Sequence, residues 1–360
     1  MKLAKLNTER TFGLEVEFIN RTNMSKDLLA QYINKKFRKL DCIGEGYNHT
    51  TRNHWKIVTD ASCGLELVSP ILSGKKGMEN AKAIIDCLAS IEGVTVNRDC
   101  GIHVHVGADD ITTQGMKNVV MFYAKNQHMI GSVLAPSRRG GSRWCETITS
   151  NHGDMNQVER KLNDCNTVGD VVSTFGRYGR YQTVNMTAYN RQRTLEFRQH
   201  GGSIDSEKIL NWAHFLLTTV EMCNKEGVVI TKTLRQNQTV AFKQVFGHTS
   251  KVVLDFMLKR ANHFGFTNFG SVKEISVVKR WEAVCEDTAT VFTVNKLSNG
   301  GIQVKQDGNS VLSGRKTLLN LLGLTDTNQT TRQLGTMLFK QHELQTVFVP
   351  NVPFNSLTVS

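Results

Sequence analysis

The chain has 360 residues, 39% of them hydrophobic and 21% charged, enough for one large domain or two ordinary ones. No apolar run of about 18 residues is present to span a bilayer, and the charged Lys2, Lys5, Glu9 and Arg10 leave no room for a signal-peptide core. This reading expects a cytoplasmic location rather than a membrane-spanning or exported protein. The net charge of +12 draws anions such as nucleotides, nucleic acid or acidic polymers. Residues 266–360 carry nine Lys/Arg against seven Asp/Glu, so the excess lies upstream.

In chain order, Phe12–Phe18 (FGLEVEF) reads as a strand with apolar and acidic residues on opposite faces. Ser25–Leu40 has helical periodicity, with Ser25 as its N-cap. A Gly/Asn/His-rich loop leads to a strand at His54–Val58, and Asp60–Pro70 reads as a turn and a strand. A helix over 76–92 closes at Gly93, and the strand Gly101–Gly107 (GIHVHVG) follows. Thr113–Leu134 reads as a long helix, Pro136–Cys145 as a basic glycine loop, and 176–186 as a basic segment entering a strand. Thr194–Arg198 is another two-faced strand, followed by a glycine turn at 201–203 and a helix over about Ser206–Asn224. Residues 231–265 read as helical.

From about residue 270 the composition changes. Val291–Val294, a turn at Asn299–Gly301 and Ile302–Gln306 read as a hairpin. Helical stretches follow at Gly314–Gly323 and near 331–342. Strand pairs alternating with long helices predict an α+β domain with helices on the apolar face of a largely antiparallel sheet. The expected domains are residues 1–265 and a small α+β accessory domain over 270–360. The eight cysteines contain no CxxC pair, so reduced thiols are expected rather than a zinc ribbon or a disulfide framework.

Side chains alternate along a strand with period two, so Glu15 and Glu17 share a face, as do His103 and His105, and Glu196 and Arg198. Glu15 and Glu17 stand about 7 Å apart, a spacing at which each can ligate a different divalent ion. Glu66 lies between two leucines, an expensive place for an unpaired charge unless its face is polar or holds metal. Two imidazoles at i, i+2 can bind one metal, or one can ligate while the other contacts a phosphate. Beside Glu196, the planar fork of Arg198 suits a phosphate or carboxylate. Arg138-Arg139-Gly140-Gly141-Ser142-Arg143 reads as an anion-gripping loop, which Arg177, Arg180 and Arg193 could supplement. Together these describe a metal-and-phosphate site without a Walker A loop, a GxGxxG turn or a serine elbow.

The segments FGLEVEF (12–18), DASCGLELVSP (60–70), CGIHVHVG (100–107), RRGGSRWC (138–145), RYQTVNM (180–186) and TLEFRQHGGS (194–203) resemble, in order, the amidoligase family. That family is part of the carboxylate–amine ligase superfamily that includes glutamine synthetase and glutamate–cysteine ligase. The resemblance covers roughly residues 10–225. It implies a glutamine-synthetase-like curved antiparallel sheet holding ATP and two or three Mg²⁺ (or Mn²⁺) ions. It also implies an acyl phosphate formed on a carboxylate and attacked by an amine to give an amide. By position, Glu15, Glu17 and Glu66 would be metal ligands, completed by Glu196 and one of His103 and His105. Arg198 would stabilise the transferring phosphoryl group, with Arg193 and Arg139 as further catalytic candidates. Arg138 and Arg143, with Arg198, would contact the nucleotide. The implied substrates are a glutamate, glutamyl or peptide-like carboxylate and an amine.

Two other readings stay open. A metal-dependent hydrolase could use the His103/His105 pair to activate water. A non-catalytic nucleic-acid-binding protein on the same scaffold would use the basic surface.

Overall fold

Phe12, Leu14, Val16 and Phe18 alternate with Gly13, Glu15 and Glu17, which makes Thr11–Asn20 a strand (β1) with one face fully buried. The computed structural model describes residues 6, 8–37, 41–139, 142–232, 238–266 and 269, and parts of 277–349. The chain forms two compact units, Met1–Gly270 and Ser271–Ser360.

In the first unit β1 is followed by α1 (Lys26–Lys36), β2 (Cys42–Gly44), β3 (Trp55–Asp60), β4 (Gly64–Val68) and β5 (Leu72–Ser73). Next come α2 (Gly74–Ala89), β6 (Val94–Thr95), β7 (Gly101–Gly107) and α3 (Thr113–Gly131). Short helices α4 (Ile148–His152), α5 (Met155–Asn163) and α6 (Val168–Gly176) lead to β8 (Val184–Asn185), α7 (Ala188–Gln192) and β9 (Thr194–Gly201). Helices α8 (Ser206–Asn224), α9 (Gln238–Phe246) and α10 (Lys251–His263) complete the unit. Among the described residues, none of the helices is long and apolar enough to cross a membrane.

The strands build one open sheet in the order β2-β3-β4-β1-β7-β9-β8, with β5 and β6 pairing to the two ends of β1. Its pairings are antiparallel except β2 with β3, so the sheet is mixed rather than wholly antiparallel. Apolar residues of the central strands, including Val16, Leu67, Val104 and Phe197, are fully buried in one core with residues of α2, α3 and α8. The Tyr123 ring of α3, for example, lies 5.2 Å from that of Phe197. The opposite face of these strands carries the ionisable groups.

Pairing of β7 with β9 shifts register between Ile102 and Val104: Val104 faces Phe197, but Ile102 faces His200. Strand β9 thus carries one extra residue, a bulge. Glu196 and Arg198 stay on the polar side while His200 packs on Trp212 in the core, 5.7 Å between ring centroids.

Local signals account for most helix ends. Ser25 caps α1, accepting from the Leu28 amide, and Asp205 caps α8, accepting from the amides of Glu207 and Lys208. Helix α1 stops at Lys36, short of the expected Leu40; α2 starts at Gly74 rather than 76 and ends at Ala89, with Gly93 at φ 92° in the turn beyond; α3 stops at Gly131. The edge strands β2 and β8 and the five-residue helices α4 and α7 are too short to show a period in the sequence.

The second unit has strands β10 (Val277–Cys285), β11 (Val291–Leu297), β12 (Ile302–Gln306), β13 (Asn309–Ser310) and β14 (Val347–Val349), in the order β13-β12-β11-β10-β14. Strands β11 and β12 pair as the expected hairpin, Phe292 opposite Gln306 and Lys296 opposite Ile302. Phe292, Val294, Val304, Leu318, Leu334 and Leu338 form its buried cluster. The expected turn at 299–301 and most of the helical stretches at 314–323 and 331–342 lie outside the described residues.

Candidate functional site

Antiparallel register brings the polar residues into rows across the sheet. Glu17 of β1 faces Glu66 of β4, Glu15 faces His103 of β7, and His105 faces Glu196 of β9. One further strand over, Asn185 of β8 faces Glu196 and donates to its Oε2 at 2.5 Å. Four carboxylates, two imidazoles and the Arg198 guanidinium therefore share one face.

Glu15 is central. Its Oε2 lies 3.0 Å from His103 Nδ1 and its Oε1 3.3 Å from His105 Nε2. Glu17 accepts from the Gly101 amide at 2.5 Å and lies 3.6 Å from His103 Nε2. A Cβ at Gly101 would stand 3.2 Å from His103 Nε2 and 3.5 Å from Glu17 Oε2, pressing on the imidazole. Arg198 Nη1 donates to Glu196 and lies 3.4 Å from His103 Nδ1, while its Nε is buried without a partner. His103 Nδ1 cannot both donate to Glu15 and accept from Arg198. The shorter contact assigns its proton to Glu15 and leaves Arg198 to Glu196. His105 Nδ1 is 3.0 Å from Thr194 Oγ1, and its Nε2 is buried without a hydrogen-bond partner.

The electrostatics separate the acids. Burial alone would raise Glu15, but His105 and His103 outweigh it and hold the carboxyl well below its usual range. Glu196 is likewise lowered, by His105 and Arg198 against burial. Glu66 is pushed well above the usual range by burial and by the charges of Glu15, Glu17, Asp60 and Glu196. Glu17 is raised by burial, only partly offset by His103 and the Gly101 amide. Burial would lower His105, yet Glu15 and Glu196 raise it. Two acids are held ionised by their cationic neighbours; in the other two burial and like charge win.

Candidate ligand atoms fall into three groups, each spanning no more than 4.8 Å: Glu15, Glu66 and His103; Glu15, His105 and Glu196; and Glu17, Asp60 and Cys63. The first two share Glu15 and offer carboxylate oxygens with one imidazole each, a donor set that suits Mg²⁺ or Mn²⁺. Glu66, crowded by its acidic neighbours, and His105 Nε2, buried 3.3 Å from Glu15 Oε1, fit a divalent cation. The third group fits less well, because its thiol is pushed up by a Cys100 hydrogen bond and by burial. The seven cysteines whose side chains are described are free.

A cavity of about 1050 Å³ opens beside the first two groups and is lined in part by Glu15, Glu66, His105, Lys56, Thr194 and Arg193. That is the upper end of the size range of small-molecule sites. Lys56, a residue sequence reasoning passed over, is buried on β3, on the same face as Glu66. Its ammonium donates to Asn48 Oδ1 at 2.7 Å and to the Thr50 carbonyl at 2.8 Å, holding the 45–51 loop against the cavity. The signal was present in the alternation of Lys56 with core-facing Trp55 and Ile57. Arg193 caps α7 in a left-handed conformation (φ 54°, ψ 36°) and lies over the Tyr189 ring.

Of the arginines at 138, 139 and 143, Arg138 comes beside the acid cluster: the position a Gly101 Cβ would take is 3.7 Å from its Nη1 and 3.5 Å from Glu17 Oε2. Arg138 is buried and donates to the carbonyl of Cys100 at 2.8 Å and those of Arg98 and Asp99 at 3.3 Å, bracing the entry to β7. Arg139 donates to the Leu134 carbonyl and stacks on Phe264 and Phe266. Arg143 is exposed over the Trp144 ring, 4.5 Å from its centroid. Among the predicted arginines only Arg198 contacts the acids of the cluster, and Arg193 reaches the cavity.

Fold and site define an α+β protein whose open mixed sheet carries an acid–histidine–arginine face beside a large cavity. The chain belongs to the family described as "Putative amidoligase enzyme", whose pattern matches residues 8–220 and whose name denotes an amide-forming ligase. No curated protein matches it.

Proposed function

We propose that this protein is an ATP-dependent carboxylate–amine ligase that makes an amide through an acyl phosphate on the polar face of a glutamine-synthetase-like sheet. The observation that carries the reading is Glu15, shared by two three-ligand groups on a face that also presents Arg198. Residues 1–265 would be the catalytic domain, 270–360 an accessory domain, and the cytoplasm the place of work.

Glu15, Glu66, His103, His105 and Glu196 would hold two divalent ions, Mg²⁺ or Mn²⁺, with Glu17 available for a third. Bound there, the ions would neutralise the phosphate oxygens of ATP and orient the γ-phosphoryl group. Arg198, anchored on Glu196, would direct its free guanidinium edge to the phosphoryl oxygens as charge shifts to the leaving group. A substrate carboxylate oxygen attacks the γ-phosphorus and ADP departs. The amine nitrogen then attacks the acyl carbon, phosphate departs, and the nitrogen gives up a proton. Glu17, whose carboxyl is raised by burial, would take that proton. The cavity would take the carboxylate, a glutamate, glutamyl or peptide-like group, with Arg193 at its rim, and would exclude water from the acyl phosphate.

The test is thermal melting of the wild type and Glu15→Ala with Mg-ATP, with ATP plus EDTA, and with Mg²⁺ alone. A ligand that binds only the folded state raises its stability. The reading expects a rise with Mg-ATP that EDTA and Glu15→Ala abolish, and ADP formation that requires both a carboxylate and an amine. A wild type indifferent to Mg-ATP sinks it. Turnover without nucleotide would instead support the hydrolase built on His103 and His105.

A further inference from the structure

Three arginine–aromatic dipeptides, Arg143-Trp144, Arg177-Tyr178 and Arg180-Tyr181, take no part in the ligase steps proposed for the acid cluster. Each arginine lies over the ring of its own neighbour, at 4.5, 5.3 and 5.2 Å from the centroids. All three guanidinium groups are exposed, and among the described residues none of them belongs to an ion pair. Tyr178 and Tyr181 expose 48% and 38% of their surface, unusual for rings with a core available.

The dipeptides form a connected surface. Backbone bonds from the Glu146 amide to the Tyr181 carbonyl (2.9 Å) and from the Thr183 amide to the Glu146 carbonyl (2.8 Å) tie the 143–146 segment to 181–183. Trp144 and Tyr181 meet edge to face, 5.4 Å between centroids. Tyr178 packs on the buried His152, whose carbonyl accepts from Lys161, adding a fourth cation nearby. At the other end Arg198 lies over Tyr181 at 5.9 Å, so the surface is continuous with the polar face of the sheet.

We infer that this surface binds single-stranded nucleic acid. Unpaired bases stack on exposed rings and phosphates pair with guanidinium groups that no carboxylate holds among the described residues, the combination used by sequence-tolerant single-strand binders. A duplex hides its base faces and leaves the tyrosines without work. An acidic polypeptide would use the arginines but not the rings. The chain-wide charge of +12, concentrated upstream of residue 266, adds long-range attraction for a polyanion. The inference does not depend on the ligase reading.

The experiment is a fluorescence-anisotropy titration of the full chain with a labelled single-stranded oligothymidylate, repeated with the matching duplex and with polyglutamate as competitor. The oligomer is expected to bind at least about ten-fold more tightly than the duplex, with affinity falling steeply in salt. Arg177→Ala/Arg180→Ala is expected to weaken binding about ten-fold and to flatten the salt dependence. Tyr178→Ala is expected to weaken it roughly five-fold or more at an unchanged salt slope, because it removes stacking and not charge. Wild-type binding that is absent, equal for duplex, matched by a free mononucleotide, or displaced equally by polyglutamate overturns the inference. So does unaltered binding by both variants, with melting curves showing that they are folded.

Discussion

Glu17 and Glu66 are directly opposed across the β1–β4 ladder. Like charges in facing positions destabilise a sheet by up to about 1 kcal/mol. The raised Glu66 carboxyl means the fold keeps its proton there longer than the unfolded chain does. That contribution is complete below the unfolded carboxyl value and is lost as pH rises through the folded one. Glu66→Gln is therefore expected to melt higher than the wild type in EDTA, by an amount that grows with pH and reaches about 1 kcal/mol. The variant is also expected to lose most of the stabilisation by Mg-ATP. A Glu66→Gln protein less stable than the wild type without metal would refute the repulsion.

Lys56 is a buried cation whose hydrogen bonds hold a loop. Lys56→Met keeps much of the volume but leaves the Asn48 and Thr50 oxygens unpaired. Urea denaturation is expected to show a loss of about 2–3 kcal/mol, with faster proteolytic cutting between residues 45 and 54.

Arg193 adopts a conformation that costs a side chain about 1 kcal/mol and that helix C-termini usually give to glycine. Arg193→Gly is expected to raise stability by roughly 0.5–1 kcal/mol and to lower ATP turnover, since the guanidinium leaves the cavity. Arg193→Ala, which keeps the strain, is expected to lower turnover without the gain. Equal stability of the two variants, read from their melting temperatures, would show that the backbone conformation is not strained.

Burial lowers His200, His214 and His248 to about 4 each. Above about pH 6.5 these groups are neutral in both folded and unfolded chains. As pH falls toward 4 the unfolded chain takes up protons that the folded one refuses, so stability falls through that window. His214 is the cleanest probe, because among the described residues its ring Nε2 has no hydrogen-bond partner. His214→Phe is expected to flatten the decline of urea midpoint between pH 6.5 and 4, while Thr218→Ser on the same helix is expected to leave it unchanged.

The polar face was readable in the sequence because strand alternation is a local property. Glu15 and Glu17, His103 and His105, and Glu196 and Arg198 each lie two apart, so facing the same way needed no tertiary knowledge. Which strands adjoin was not readable; Glu66 pairs with Glu17 across 49 positions of chain. The contacts of the loop arginines were hidden for the same reason. Arg138 looked like an anion ligand, but its acceptors are carbonyls 38 to 40 residues away, which fold only against one another. Strands β2 and β8, of three and two residues, carry too little pattern to announce themselves.

The extra residue in β9 has its own consequence. Positions 196, 198 and 200 share a parity, and an unbroken strand would deliver all three to the reactive side. The bulge resets the phase, so that a histidine needed beside Trp212 goes inward while Glu196 and Arg198 stay outward. Removing one residue between 197 and 200 would thus exchange inside for outside over the rest of the strand. Segment length there is as much a part of the chemistry as the side chains it carries.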